Sequence, residues 1–187
     1  MTRQQYQAAA DWFTARPRAK RALDLFRKGC VLAVYLCYGA ALAALAWRRS
    51  GYFWCELLAP AAAFVLGTAL RAAIGRPRPY EALHFTPLFP KATRGQSFPS
   101  RHCFAAAAIA VTTLGCCAPL GWALLAVAGC IAVTRVLAGH HYPSDVLAGL
   151  GFGAGAALAV CALLRGVCPG WFGYAPVSAA GFLFTVI

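Results

Sequence analysis

Long apolar runs constrain this chain more than any other feature of its sequence. Five of them, at about 29–47, 53–74, 102–118, 120–139 and 145–164, approach the ~20 residues that a helix needs to cross a ~30 Å hydrocarbon core. The apolar residues are continuous within each run rather than arranged in stripes, which is typical of membrane segments. The sequence therefore predicts an all-α, polytopic transmembrane helix bundle of five to six spans.

The two ends of the chain are less regular. The final stretch, 171–187, contains Pro176 and Gly181, and it is either the sixth span or an interfacial or re-entrant segment. Residues 1–28 mix aromatic and basic side chains and are interrupted at Pro17, so we expect an N-terminal interfacial helix; the alternative is a partly disordered basic tail. We divide the chain into this segment, 1–28, and a membrane domain, 29–187.

Charge and cysteine content narrow the function classes. The chain has 61% hydrophobic residues, only 12% charged residues and a formal net charge of +12. Such an excess of cations beside apolar spans suits anionic lipid headgroups or an anionic substrate, and the absence of a nucleic-acid-binding motif argues against nucleic acid as a partner. The nine cysteines form no C-x-x-C pair, so we interpret those within the spans as small hydrophobic residues.

One connection, residues 75–101, is long and basic, whereas the others are short. Polar residues that are candidates for catalysis or binding cluster there and at three neighbouring span ends. In chain order they are Arg71 and Arg78-Pro79, then Pro99-Ser100-Arg101-His102, then Thr134-Arg135, His141 and Asp145. Because spans two and four end where spans three and five begin, connectivity places all three groups at one face of the membrane.

The residue types in this cluster suit phosphoryl transfer. Arginine side chains bind phosphate oxygens bidentately, and Ser100 with the first N–H groups of a helix adds neutral donors. The neutral imidazole of His141 can attack phosphorus if Asp145, four residues later, holds its Nδ1–H. The second histidine, His102, can protonate the leaving oxygen.

Metal-assisted hydrolysis is disfavoured by the small number of carboxylates. A two-metal phosphatase needs several of them, whereas this chain has five Asp and Glu residues in total. Only Asp145 falls within the cluster. We therefore predict a metal-independent reaction with no cofactor.

The three segments resemble the motifs of the type-2 phosphatidic acid phosphatase superfamily, which are Lys-x6-Arg-Pro, Pro-Ser-Gly-His and Ser-Arg-x5-His-x3-Asp. The resemblance covers roughly residues 53–160, in the right order and with intact spacing. It implies His141 as the phosphorylated nucleophile, Asp145 as its partner and His102 as the acid. It also implies that the phosphoryl group is bound by four side chains and one backbone N–H: Arg71, Arg78, Ser100, Arg135 and the amide of Arg101.

Three positions depart from the family pattern. Arg71 stands in place of Lys, Thr134 in place of Ser, and Arg101 in place of Gly. The largest change is at Arg101, whose side chain either contacts a second phosphate, narrows the entrance or points towards headgroups and solvent. His140, which lies outside the motif spacing, is expected to be a polar interface residue.

The resulting functional hypothesis is a multi-pass membrane phosphatase, most simply placed in a bacterial plasma membrane. Its substrate is a lipid phosphate or pyrophosphate, with an isoprenyl pyrophosphate such as undecaprenyl pyrophosphate favoured over phosphatidylglycerol phosphate and phosphatidate. The alternatives are a phosphatase for soluble phosphate esters and a non-catalytic lipid-binding protein. Seven Lys and Arg residues before the first span favour a cytoplasmic active face, whereas the resemblance implies an external one.

Four glycines in the fifth span suggest close helix contacts. Gly149, Gly151, Gly153 and Gly155 form two interleaved G-x-x-x-G spacings, which let helix backbones approach closely. We expect packing within the bundle, with a dimer interface as the alternative.

Overall fold

The computed structural model describes residues 1–91 and 93–172. Every regular element in this part of the chain is helical, which confirms the predicted all-α class. In chain order the elements are α1 (Arg3–Thr14), α2 (Pro17–Trp47), α3 (Tyr52–Ile74), α4 (Pro79–Ala82), α5 (Arg101–Leu114), α6 (Ala118–Leu137), α7 (Pro143–Val167) and a 3₁₀ turn (Pro169–Phe172). The predicted sixth span falls outside the described residues from position 173 onward.

Four helices among the described residues are long and apolar enough to cross a membrane: α2, α3, α6 and α7. The third predicted span, 102–118, corresponds to α5, which has only 14 residues. At 1.5 Å per residue this helix is about 21 Å long, shorter than a ~30 Å hydrocarbon core. The predicted count of five to six spans is therefore not confirmed.

Helix α5 is the centre of the bundle. Ten of its 14 residues are buried, and α7, α6 and α3 pack around it. Its apolar run continues past Gly115 in the sequence, but the helix ends there and α6 begins at Ala118 with a proline in its first turn. A helix enclosed by protein is as apolar as one enclosed by lipid, so sequence alone does not separate the two cases.

The glycines of α7 divide into two groups. A Cβ atom on Gly153 would lie 2.1 Å from the carbonyl oxygen of Phe104 in α5, and one on Gly149 would lie 2.9 Å from the carbonyl oxygen of Ser100. A Cβ on Gly151 or Gly155 would meet no other described atom within 4 Å. The first pair therefore lets α7 pack closely against α5, as predicted, whereas the second pair faces away from the bundle.

Hydrogen bonds bring the three motif segments to one end of the bundle. Arg71, near the end of α3, donates to the carbonyl oxygen of Pro99, just before α5. Arg78 donates to the carbonyl oxygen of His140, in the α6–α7 connection, at 3.3 Å. The common face expected from connectivity is therefore present.

The N-terminal segment joins the same end of the bundle. Helix α1 buries Tyr6 and Ala10, and α2 begins at Pro17, which occupies its first turn. Proline is favoured there because its missing N–H has no helical partner in any case. Helix α2 then runs without interruption to Trp47.

Candidate active site

A cavity of about 300 Å³ opens at the end of the bundle where the motif segments meet. Five cationic side chains and two histidines contribute to its wall. The full lining consists of Arg71, Arg78, Lys91, Thr93, Arg94, Gly95, Gln96, Arg101, His102 and His141. We call it the cationic cavity, and its charge suits an anion far better than a metal ion.

His141 is a buried member of this wall, exposing only 2% of its surface. Its Nδ1 lies 2.8 Å from the carbonyl oxygen of Ser97. A carbonyl oxygen only accepts hydrogen bonds, so Nδ1 carries the proton and Nε2 keeps its lone pair. Burial lowers the pKa of His141, with the charge of Arg78 acting in the same direction and that of Asp145 against it. The ring is therefore neutral at pH 7, as a nucleophile must be.

Asp145 lies behind His141 and is completely buried. Its Oδ2 is 3.7 Å from Nδ1 of His141, so the direct hydrogen bond expected from the sequence is made by the Ser97 carbonyl instead. The carboxylate accepts hydrogen bonds from the Ser97 hydroxyl, from Arg76 at 2.7 Å and from the backbone N–H of Tyr142 at 2.9 Å. Asp145 thus links Ser97, whose carbonyl oxygen orients His141, to Arg76 and to the backbone of Tyr142.

The position of Asp145 in its helix explains this role. It is the third residue of α7, where a carboxylate accepts from the N–H of the residue preceding the helix and is stabilised by the positive end of the helix dipole. Its carbonyl oxygen also accepts from the backbone N–H of Ser100, at 2.9 Å. The beginnings of α5 and α7 are therefore tied together through one residue.

Three predicted phosphate ligands carry buried polar atoms that lack a partner among the described residues: Arg71 Nε, Ser100 Oγ and Arg135 Nε. Unpaired buried donors of this kind are costly unless a ligand satisfies them. Arg71 lines the cationic cavity, and Ser100 lies beside it at the beginning of α5. Arg135 does not line that cavity and faces a neighbouring one, together with Arg27 and Tyr35.

Arg101 and His102 occupy the first turn of α5, and both line the cationic cavity. The guanidinium carbon of Arg101 lies 5.7 Å from the centre of the Phe64 ring, at the range of a cation–π contact. Its side chain is exposed. The substitution of Arg for Gly at this position therefore adds a cation at the mouth of the cavity.

The 75–101 connection contributes two more cations, Lys91 and Arg94. Burial lowers the pKa of Lys91 to about 8, and the charges of Arg78 and Arg135 act in the same direction. The connection is held in place by Glu81, whose carboxylate accepts from the N–H of Gly95 at 2.9 Å and from that of Arg78 at 2.8 Å. The loop thus brings additional positive charge to a preformed site.

Sequence reasoning missed three residues that contact His141 or Asp145: Arg76, Ser97 and Tyr6. The hydroxyl of Tyr6 donates to the carbonyl oxygen of His141 at 3.2 Å, and its ring stacks on Phe85 with 5.1 Å between centroids. Only Arg76 could have been found from the sequence. The chain has five Asp and Glu residues, so an arginine near the motifs has few possible ion-pair partners, and Asp145 is one of them. The carbonyl oxygen of Ser97 that accepts from His141 and the carbonyl oxygen of His141 that accepts from Tyr6 are main-chain atoms, which leave no mark in a sequence.

His140 is buried rather than interfacial, contrary to the sequence prediction. Its Nε2 lies 2.8 Å from the carbonyl oxygen of Phe89, and burial lowers the pKa of His140 to about 4. The neutral ring therefore donates to the 75–101 connection. His140 fastens that connection to the α6–α7 turn and does not line the cationic cavity.

Metal binding finds little support in the described residues. They contain no group of three or more His, Cys, Asp or Glu side chains arranged to hold a metal ion. The five cations of the cationic cavity would also repel a divalent metal.

Fold and site together define a helical, multi-pass membrane protein with a cation-lined cavity built on helix ends. Its sequence matches the PAP2 superfamily over residues 52–166. The chain therefore belongs to the PAP2 superfamily, as its three motifs indicated.

The sequence is also similar to proteins that are named as phosphatases. It is 38% identical to a lipid A 1-phosphatase of Rhizobium etli over 119 residues, covering 57% of this chain and 51% of the relative. It is 35% identical to undecaprenyl-diphosphatase BcrC of Bacillus subtilis over 89 residues, covering 48% of this chain and 46% of that one. The chain thus spans about half the length of these curated relatives.

A solved structure extends the likeness to nearly the whole fold. The crystal structure of Aquifex aeolicus LpxE superposes with a TM-score of 0.66 at 25% sequence identity, covering 85% of this chain and 93% of that one.

Proposed function

We propose that this protein is a membrane phosphatase that hydrolyses a lipid phosphate or pyrophosphate through a phosphohistidine on His141, without a metal cofactor. The observation that carries the proposal is the orientation of His141. Its Nδ1–H donates to the Ser97 carbonyl oxygen, which leaves the lone pair of Nε2 free. The ring also lines the cationic cavity, whose wall carries five cationic side chains.

In the first step, the Nε2 lone pair attacks phosphorus and forms an N–P bond. The P–O bond to the leaving group breaks, and its electron pair stays on the leaving oxygen, which takes a proton from the imidazolium form of His102. Burial lowers the pKa of His102 to about 3, and the negative charge of the substrate opposes that shift. Positive charge on the imidazole is balanced by Asp145 behind the loop. The arginines stabilise the negative charge on the equatorial oxygens, which is the main requirement of phosphoryl transfer.

In the second step, water attacks the phosphohistidine. His102 accepts a proton from that water, the N–P bond breaks, and its electron pair returns to Nε2 of His141. Inorganic phosphate leaves, and both histidines regain their starting states. No metal or redox partner is needed for this balance.

For the substrate we favour an isoprenyl pyrophosphate such as undecaprenyl pyrophosphate. A phosphate monoester carries about −1.5 to −2 charges at pH 7, and five cations exceed what one such group requires. Arg101, at the cavity mouth, is placed to bind a second phosphate. The likeness to BcrC supports this choice, whereas the likeness to lipid A 1-phosphatase makes lipid A a competing substrate, beside phosphatidylglycerol phosphate and phosphatidate.

Phosphate release from purified protein in vesicles tests the proposal. Undecaprenyl pyrophosphate should be hydrolysed faster than the lipid monophosphates and a soluble sugar phosphate, and excess EDTA should leave the rate unchanged. His141→Ala should abolish release, whereas the exposed loop variant His84→Gln should retain it. Faster hydrolysis of the soluble ester would favour the soluble-substrate alternative, and no release from any substrate would favour a lipid-binding protein.

The preference for a diphosphate has its own test. Arg101→Gly restores the residue expected from the family motif and removes the additional cation. The ratio of kcat/KM for a lipid pyrophosphate to that for a lipid monophosphate should fall about tenfold, the usual scale for one charge-assisted contact. An unchanged ratio would contradict a role of Arg101 in binding the second phosphate.

The membrane face of the cavity can be established by labelling. Single cysteines in the 75–101 connection, introduced into a variant without the native thiols, would be treated with a membrane-impermeant maleimide in intact cells. We propose an external face, as the resemblance to the superfamily implies. Labelling only after cell disruption would contradict this and would agree with the basic N-terminus.

A further inference from the structure

Three helices around His102 share one pattern. Each has a cationic or basic side chain at the active end and small or apolar side chains one to two turns further into the membrane. On α2 the sequence runs from Arg27 and Lys28 to Val31, Val34 and Tyr35; on α5 from His102 to Ala105, Ala106 and Ile109; on α6 from Arg135 to Ile131. These spacings of three, four or seven residues place the members of each set on one helix face.

The three faces meet in a narrow crevice. Its volume is only about 30 Å³, and it is lined by Val31, Val34, Tyr35, His102, Ala105, Ala106, Ile109 and Ile131. We call it the apolar crevice. Because His102 also lines the cationic cavity, the crevice begins where that cavity ends.

The apolar crevice continues to the outer surface of the bundle. Val31 and Tyr35 also line a second cavity of about 260 Å³, to which Arg27, Lys28 and Arg135 contribute. Tyr35 exposes 63% of its surface. The shared lining residues therefore place the apolar crevice between His102 and an exposed cavity that has cations along its edge.

Helix α2 forms the loosest wall of this crevice. Asp24 pairs with both Arg27 and Lys28, but Arg135 retains a buried Nε without a partner among the described residues. Helix α2 also lies outside residues 52–166, the part that matches the PAP2 superfamily. Helix α2 therefore adds to the crevice a wall that lies outside the range of the family match.

We infer that the apolar crevice binds the first segment of the hydrocarbon chain of the lipid substrate, which enters between α2 and α6. The inference rests on the proposed function and specifies where the lipid lies. His102 stands at the junction of the cationic cavity and the apolar crevice, and a lipid phosphate or pyrophosphate likewise joins an anionic headgroup to a hydrocarbon chain. Ala105 and Ala106 keep the crevice open because they lack bulk, and the exposed Tyr35 can turn outwards to widen it.

Filling the crevice tests the inference through substrate choice. Ala105→Phe should lower kcat/KM for a long-chain lipid phosphate about tenfold or more, since several methylenes lose their apolar contacts. Hydrolysis of the matching short-chain, water-soluble phosphate should change less than about twofold. Leu36→Phe, on the exposed side of α2, is the matched control and should affect neither substrate.

Val31→Phe fills the same crevice from α2 and decides the question if Ala105→Phe does not fold. An equal loss for both substrates in a folded variant would overturn the inference, as would an unchanged rate with the long-chain lipid. Either result would leave phosphate release by the unsubstituted protein intact.

Binding without turnover separates the inference from the proposed function. A lipid phosphate with a diazirine near its headgroup can be photolysed in vesicles that contain the His141→Ala protein, and the adducts mapped by mass spectrometry. Adducts should fall on the crevice walls, at Val31, Tyr35 or Ile109. Adducts confined to the outer faces of α3 and α7 would overturn the inference, even if the unsubstituted protein is an active phosphatase.

Discussion

Helices α5 and α2 both flank the candidate site, but their environments differ. Ten of the 14 residues of α5 are buried, against three of the 31 residues of α2. The close approach of α7 at Gly149 and Gly153 fixes α5, whereas α2 leaves a path to the lipid-facing surface. In the account proposed above, the chemistry is held by the tightly packed core and the substrate enters beside the more loosely packed helix.

The largest expected effect comes from a substitution in the tight contact between α5 and α7. Gly153→Ala puts a Cβ atom against the carbonyl oxygen of Phe104 in the backbone of α5. A main-chain atom cannot rotate out of the way as a flexible side chain can. We expect a loss of about 1–3 kcal/mol or more in stability, the usual cost of overpacking. The midpoint of thermal unfolding in detergent micelles measures it.

Gly155→Ala is the matched control for this prediction. The added methyl meets no other described atom within 4 Å and should change the midpoint little. If both variants unfold at the same temperature, the tight α5–α7 contact is not what stabilises the core.

Arg76→Gln tests how the core holds the nucleophile. The change removes the ion pair at 2.7 Å and leaves the Asp145 carboxylate without its cation. We expect kcat to fall about tenfold to a hundredfold, the scale on which misplaced catalytic groups lose rate, while KM changes little.

A double-mutant cycle decides whether Arg76 acts through Asp145. If it does, Arg76→Gln should cost much less in an Asp145→Asn background than in the unsubstituted protein. Additive effects on kcat would show that the two residues act independently.

The next effect concerns pH. With the pKa of Lys91 near 8, the free enzyme loses one substrate-binding charge as pH rises through that value, so kcat/KM should decline above it. Arginine stays protonated there, so Lys91→Arg should move the alkaline decline to higher pH and leave the acid limb in place. A decline that stays near pH 8 in this variant would assign it to another group.

The smallest expected effect lies at the contact between α1 and the α6–α7 connection. Tyr6→Phe keeps the stacking on Phe85 and removes only the hydrogen bond to the carbonyl oxygen of His141. One such bond contributes about 0.5–1.5 kcal/mol, so kcat should fall less than about tenfold. A loss as large as that of Arg76→Gln would show that α1 belongs functionally to the rigid core.

Much of the site could be predicted because its information is local. The spacing of His141 and Asp145, and the order of the three motifs, survive in the sequence whatever the surrounding packing. Antiparallel connectivity then brings Arg71, His102 and His141 to one face.

The remainder depends on packing and on main-chain atoms. Helix α5 has the composition of a span because protein and lipid surroundings are equally apolar. The contact of His141 with Ser97 uses a carbonyl oxygen that every residue possesses. The contact of Tyr6 with His141 joins residues 135 positions apart, and no local pattern records it.

The central claim is that His141 becomes phosphorylated during turnover. Rapid acid-free quenching of the protein with a lipid substrate labelled at its terminal phosphate, followed by peptide mapping, tests it directly. We predict an acid-labile, base-stable label on His141 that is absent from His141→Ala, together with loss of phosphate release in that variant. Label on another side chain, or continued release by His141→Ala, would contradict the mechanism.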